Sequence, residues 1–514
     1  MNETTAGART RTGGRRGRRG GDGDAGGVAT VEQPAWRQPR NPYAPVAAVS
    51  ADQLEAIHLA SLQVLEEIGI DVLNAEARSI LKAAGADVAV DGDRVRFDRG
   101  LVEQSIGKPP AEFKLHARNP DHTLNVGGAW MANCAVASAP NAHDMEGGRR
   151  PGNTADFKNF LRLIQKLNII HLIGGYPVEP LDRHPSIRHL ECLQDTVLMT
   201  DKVFHAYSLG RERILDGIEI ARIARGIDNE TLEREPSLMT IINSNSPLKL
   251  DEVMCGGIIE MARRNQVVVL TPFTLAGAMA PVTVAGAVTQ QNAEALAGLV
   301  LSQNVRAGAP FVYGGFTSNV DMKSGSPAFG TPEYMKSALL GGQLARRYGL
   351  PYRSSNVCAA NTVDAQAAYE SMMSLLMAQV SGINFVLHTA GILDTYNCMS
   401  YEKFIIDDEM CGMVKRIKKG FKVNDDTLGL DAIKEVGPGG HFLDKDHTFE
   451  HFRGEFYQPT LSNRDDFEGW CAKGSSQSME AANKKYKEIL ESYEVPELTA
   501  DVDRDLLKFI ENMK

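Results

Sequence analysis

The sequence contains no CxxC pair and no even framework of cysteines. Its seven, Cys134, Cys192, Cys255, Cys358, Cys398, Cys411 and Cys471, stand far apart. That spacing excludes a disulfide-stapled exported domain and fits a reducing cytoplasm. No apolar segment of the secretory kind opens the chain. The uncharged stretch 266–293 carries Pro272, Pro281 and many Thr, Gly and Gln, which excludes a membrane span and reads as a buried strand, a loop and the start of a helix. No GxGxxG follows a first strand, which counts against a doubly wound dinucleotide-binding sheet, and no GxSxG elbow is present. Excess positive charge is also missing. The net charge is −10, and the first 40 residues hold eight Arg against four acids, a local +4 that leaves −14 for the rest. Overall charge therefore excludes a nucleic-acid binder.

What is present is regular. Residues 1–46 are rich in Gly, Arg and Pro and read as a disordered tail. From Ser50 the pattern changes to a small α+β module over 47–126. It opens on a capping box of Ser50 and Gln53, and Gly69 ends the first helix. Residues 127–399 then repeat one unit, a short apolar run with a polar tip followed by a helical stretch. The runs fall at 133–138, 169–174, 203–207, 239–242, 267–270, 311–314, 352–355 and 385–387. Eight such units predict an α/β fold, the TIM (β/α)8 barrel, with an open doubly wound sheet as the alternative. Residues 400–514 are richer in charge and are expected to be a helical C-terminal cap, or an oligomer interface.

In such a barrel the chemistry sits at the strand tips. No tip supplies a lysine for a Schiff base, and carboxylates are sparse. The tips offer amides, hydroxyls and rings instead. Among them are Tyr176, Asn243, Phe273, Phe316, Asn356 and His388. Rings and amides with little formal charge suit a cation that donates no hydrogen bonds, each ring contributing roughly 0.5–2 kcal/mol. Each of these residues taken singly is equally well explained by packing or turns. His441, His447 and His451 invite a metal reading, as do Cys134 and Cys358, but neither set forms a local ligand cluster; no metal is expected.

Several separated motifs, in order, carry a resemblance. They are Glu66–Ile70, Tyr313–Met322 (YGGFTSNVDM), Gly330–Glu333 (GTPE), Asp364–Glu370 (DAQAAYE) and Gly439–Thr448 (GGHFLDKDHT). Together they resemble the trimethylamine methyltransferase family over about residues 48–510. The resemblance implies a barrel that moves a methyl group from an amine to the Co(I) of a corrinoid carried by a separate small protein. For such a donor Tyr176, Phe273 and Phe316 are candidates for caging the ammonium, Asn243, Asn356 and His388 are candidates for hydrogen bonds to a substrate carboxylate, with Arg353 close by, and His388 is the catalytic candidate. It implies no cofactor held tightly by this chain, and an assembly of several copies. Family members acting on trimethylamine carry a pyrrolysine where this chain has Val357-Cys-Ala-Ala-Asn-Thr-Val363, all standard residues. The chain is therefore similar to the non-pyrrolysine branch, which includes glycine betaine methyltransferases. The expectation is a betaine-type quaternary amine as methyl donor. The alternatives are trimethylamine or another small donor on the same fold, or a non-catalytic betaine-binding protein.

Overall fold

The structure is a computed structural model that describes residue 33 and residues 35–513. Its centre is a set of short parallel strands. They are β1 (Ala132–Asn133), β2 (Leu172–Ile173), β3 (Val203–Phe204), β4 (Met239–Ile242), β5 (Val267–Leu270), β6 (Phe311–Gly314), β7 (Tyr352–Ser355) and β8 (Phe385–Leu387). Six form one sheet in the order β4-β5-β6-β7-β8-β1, every neighbour parallel. The other two pair with each other, Leu172 opposite Val203. Two single-residue parallel bridges, Cys134 to Leu172 and His205 to Met239, join this pair to the sheet on both sides.

A helix follows each strand: α1 (Thr154–Lys166), α2 (Arg188–Met199), α3 (Arg211–Arg225), α4 (Glu252–Arg263), α5 (Val284–Val305), α6 (Pro332–Arg347), α7 (Ala365–Ser381) and α8 (Tyr401–Ile417). Strand residues alternate between two cores, as a period of two demands. Val267, Val269 and Val312 join Cys134, Met239, Phe385 and Leu387 inside, while Val268, Leu270 and Tyr313 face the helices. The inner core is completed by Leu115, Leu124 and Val126 of an antiparallel hairpin, Glu112–Leu115 with Leu124–Gly127.

The N-terminal module lies against α5, which explains that helix's composition. The helix is covered by three others, Ala51–Gln63, Ala75–Ala83 and Arg99–Ile106, so apolar residues surround it. Its single charge, Glu294, accepts hydrogen bonds from Ser244, from Ser246 (2.6 Å) and from the Leu248 amide (2.9 Å). The capping box is present, with the Ser50 amide 3.0 Å from the Gln53 side chain and the Gln53 amide 3.3 Å from Ser50 Oγ.

Three features differ from expectation. Residues 1–32 and Pro34 of the expected tail lie outside the described residues, whereas 35–46 run along the body: the Asn41 amide donates to Ala129, and the Val46 amide to Val380. Within the expected helical stretch 400–514, where the charge-rich run 464–491 reads as one helix, there are two, Phe467–Ala472 and Ser478–Glu491, broken around Gly474, whose φ is +93°. Of the C-terminal residues, expected as a helical cap, two helices lie on the flank of the body. Helices Ser478–Glu491 and Ala500–Met513 pack on the outside of the helical layer, against α8 and α1 and against α3 and α2. Among the described residues, no helix is long and apolar enough to cross a membrane.

Candidate functional site

Beyond the strand tips, the chain builds a second, smaller sheet. After β5 it continues as Phe273–Ala276 and after β6 as Phe316–Val320, and these pair in parallel with Phe273 opposite Phe316. The register stacks the two rings, with centroids 5.4 Å apart and planes 27° apart. Phe329 joins from the next turn at 5.2 Å from Phe316, and Tyr334 of α6 at 5.8 Å. Tyr396 closes the group, 5.4 Å from Phe316 and 4.4 Å from His388. This second sheet, Phe329, Tyr334 and Tyr396 were not foreseen from sequence: Thr-Pro-Phe and Gly-Gly-Phe read as loop, and Tyr396 follows no strand signal.

Arg353 settles which way β7 faces. Tyr352 and Ser354 face α6, where Ser354 hydrogen-bonds Tyr334 at 2.8 Å. Alternation then turns Arg353 and Ser355 inward. The guanidinium lies 5.2 Å from the centre of the Phe316 ring. It is 3% exposed, and its Nε and Nη1 have no hydrogen-bond partner. Burial lowers its pKa, opposed only by tyrosines and Cys134. Arg353 enters no ion pair, and among the described residues no carboxylate faces it. A buried charge without a counter-charge is costly and calls for an anion.

His388 lies beside Arg353. Its Nδ1 is 3.1 Å from Ser355 Oγ, and no partner for Nε2 is found among the described residues. Burial first, then Arg353 and His205, hold its pKa well below 6.5, so the ring is neutral. Its backbone has φ +53°, and Asp394, Thr395 and Tyr396 are also left-handed, at +48°, +53° and +73°. Non-glycine residues in that region cost about 1–3 kcal/mol each and concentrate at functional sites. Asn356 is fully buried; its Nδ2 donates to Thr389 O at 3.0 Å, and its Oδ1 is unpartnered. Thr271 and Thr274, which flank Phe273, also bury unpartnered hydroxyls.

The structure thus brings Phe273, Phe316 and His388 together with Arg353, and sets Asn356 next to them through the hydrogen bond from Tyr396 Oη to its carbonyl, 2.8 Å. Tyr176 stands in a different group, 4.7 Å from Tyr207, which lies 4.6 Å from His205. His205 is also neutral: its pKa falls to about 4 through burial, and its Nε2 accepts from the Ile241 amide at 3.1 Å. Asn243 is exposed at the β4 tip, outside both groups. Burial raises the thiols of Cys134 and Cys358, the latter to about 12, so both are protonated and poor metal ligands or nucleophiles. Of the three histidines of the C-terminal segment, His447 and His451 lie together, ring centroids 4.5 Å apart, the first bonding the Asp426 carbonyl and the second the Asp426 carboxylate beside Glu450, while His441 stands exposed beside Asp444.

Within this α/β fold a buried cation with spare donors thus stands against a stack of ring faces and a neutral imidazole. The chain belongs to the trimethylamine methyltransferase (MTTB) family, whose match spans residues 11–514, and it is a methyltransferase. It is 40% identical over 463 residues to the glycine betaine methyltransferase of Desulfitobacterium hafniense strain Y51, covering 90% of this chain and 96% of that one. It is 29% identical over 464 residues to the trimethylamine methyltransferase MttB of D. hafniense strain DSM 10664 / DCB-2, covering 90% and 93%. Among solved structures, the hydroxylamine complex of MtmB matches with a TM-score of 0.50 at 13% identity, covering 88% of this chain and 90% of that one, a likeness of fold alone.

Proposed function

We propose that this chain moves a methyl group from a betaine-type quaternary amine, glycine betaine first among them, to the Co(I) of a corrinoid carried by a separate protein. We also read its eight parallel strands as one closed (β/α)8 barrel. Consecutive pairing, the two bridges that join β2 and β3 to the sheet, and the likeness to MtmB support that reading.

The observation that carries the substrate is Arg353. A betaine has both a carboxylate and a permanently cationic methylated nitrogen. Trimethylammonium has only the cation, and a bare guanidinium 5.2 Å from the Phe316 ring repels it. A betaine carboxylate on Arg353 removes the repulsion and leaves the ammonium to the faces of Phe273, Phe316 and Tyr396. With Ser355 donating to Nδ1, His388 carries its proton on Nε2 and offers the carboxylate a second donor. Asn356, held beside Tyr396, offers a further buried amide oxygen without a partner.

The chain supplies no nucleophile of its own here, since the two nearby thiols stay protonated. A reduced corrinoid on a partner protein would supply it. The leaving group is a neutral amine, so no proton need be delivered, and the residues contribute by aligning the N–CH3 bond and excluding water. Demethylation with a Co(I) corrinoid protein and a panel of betaines, followed by the methyl-Co(III) spectrum, is the test. Turnover of trimethylamine with none of the betaines would overturn the substrate.

A further inference from the structure

The stretches Gly330–Glu333 and Asp364–Glu370 are separate in sequence and meet at one side chain, Glu370. Asp364 caps α7, accepting from the amides of Gln366 (2.8 Å) and Ala367 (3.2 Å). The Gln366 side chain donates to Glu370 Oε1 at 2.8 Å. Gly330, at φ +71°, leaves the room in which Glu370 lies: a Cβ there would stand 2.5 Å from Glu370 Cγ. Glu370 is 5% exposed. Its second oxygen, Oε2, accepts from two consecutive backbone amides, Ala359 at 2.7 Å and Ala360 at 3.1 Å. A carboxylate held by N–H donors restrains them strongly and directionally.

Those amides belong to the loop after β7, and the carbonyls of the same loop hold the segment that carries Tyr396. Cys358 O accepts from the Thr395 amide (3.2 Å) and Ala360 O from the Asp394 amide (2.8 Å). Asn356 O accepts from Tyr396 Oη (2.8 Å). Asp394, Thr395 and Tyr396 are the left-handed run, a conformation that persists only where neighbouring structure over-determines it. The loop supplies that determination. The run ends on the ring that stands 4.4 Å from His388 and 5.4 Å from Phe316. A continuous path of hydrogen bonds therefore leads from Glu370 on α7, through the loop, to Tyr396 at the site.

We propose that Glu370 is a positioning residue for methyl transfer. Its carboxylate is engaged by Gln366 and the two loop amides, so it acts through the loop and not on the substrate. Holding the loop fixes the left-handed run, and the run sets the Tyr396 ring where it meets the methylated ammonium. The ammonium rests on the betaine reading above; the link from Glu370 to Tyr396 does not.

Two measurements on the full chain test this. The first needs no substrate. Amide hydrogen exchange, read by mass spectrometry on peptides covering 394–396, should be roughly tenfold faster or more in Glu370→Ala than in the wild type. Glu370→Gln keeps an oxygen for the two amides and should exchange near the wild-type rate. The second is calorimetric binding of glycine betaine. Glu370→Ala should weaken it about tenfold and Tyr396→Ala by a similar factor. The double variant should bind no worse than Tyr396→Ala alone, because both losses act through one ring. Glu370→Gln should recover most of the binding. A residue that only stabilises the fold would lower the urea midpoint, and its effect on binding would add to that of Tyr396→Ala. Unchanged exchange in Glu370→Ala, additive losses, or a Glu370→Gln variant as weak as Glu370→Ala would each overturn the proposal. A wild type that binds no betaine overturns the substrate reading instead, and the exchange measurement still decides the link. Should Glu370→Ala not fold, Glu370→Asp, which withdraws the carboxylate by one methylene, takes its place in both measurements with the same outcomes.

Discussion

Lys202 and Arg353 are both buried cations beside the parallel strands, and the fold treats them in opposite ways. Lys202, one residue before β3, donates to three carbonyls, Ile164 (2.5 Å), Leu167 (3.0 Å) and Ile170 (2.7 Å). It closes the end of α1 and the turn after it, with every donor used. Arg353, near the tip of β7, leaves two nitrogens without partners. One cation is part of the scaffold at the start of a strand; the other, near a strand tip, keeps donors free, which is why we propose it as the anion-binding group. The difference shows how to separate a structural charge from a binding charge: by whether the fold has already satisfied it.

The sharpest way to break this comparison is to remove each charge. Arg353→Met should cut kcat/KM for glycine betaine by a hundredfold or more, about 3 kcal/mol, as expected for losing one side of a buried charge pair. It should leave the urea midpoint unchanged or raised, because an uncompensated charge goes. Lys202→Met should do the reverse. It orphans three carbonyls and should lower stability by about 1–3 kcal/mol, with KM unmoved. A loss of stability at Arg353 without loss of turnover would make it scaffold too.

The next effect concerns the rings. Phe316→Ala should weaken binding of betaines by up to about thirtyfold, the equivalent of 2 kcal/mol, since it removes the ring that meets Phe273, Tyr396 and Arg353. Phe316→Tyr should keep most of it. Equal losses for cationic and neutral ligands of the same shape would show packing rather than attraction for charge.

Much of this was legible in the sequence, for a definite reason. Buried parallel strands must be short apolar runs, and each of the eight runs overlaps one of the eight strands, the first at Asn133 alone. Phe273, Phe316 and His388 follow from standing just past those runs. The inward turn of Arg353 needed the register, since strand alternation alone leaves two choices until Ser354 is seen on Tyr334. Phe329 and Tyr396 were invisible because their places depend on a second sheet and on left-handed backbone that no local pattern announces. Asn243 stands outside both ring groups for a different reason: a strand tip is a position, and it does not fix that the side chain there turns inward rather than to solvent.

Each end of the strands also buries a neutral histidine, and pH tests both. His388 at the functional end and His171 at the closed end are both buried and neutral, His171 with its pKa lowered to about 3 by burial. Between the folded value and the ordinary value near 6.5, the unfolded chain binds more protons. Stability therefore rises with pH through that window and is lost as pH falls below about 6.5, by up to about 1.4 kcal/mol per pH unit for each such ring. Urea midpoints between pH 5 and pH 7 should show a shallower slope in either His388→Gln or His171→Gln. Only His388→Gln should raise KM, and KM of the wild type should carry no histidine inflection between pH 6 and 8.

The smallest expected effect tests where the site ends. Tyr176 was expected from sequence to help cage the ammonium, yet it packs 4.7 Å from Tyr207 and 6.0 Å from Phe157, in the main core rather than in the Phe316 group. Its ring shares no contact with Phe273, Phe316 or Tyr396, so it stabilises the β2 side of the fold. Tyr176→Phe keeps the ring and should change KM by less than about twofold. It should also change stability by less than about 1 kcal/mol, because no hydrogen bond to its hydroxyl is found among the described residues. A tenfold rise in KM would instead join the Tyr176–Tyr207–His205 group to the Phe316 group across Arg353. It would make the guanidinium the centre of one larger cavity and favour a donor longer than glycine betaine, whose ammonium stands farther from its carboxylate.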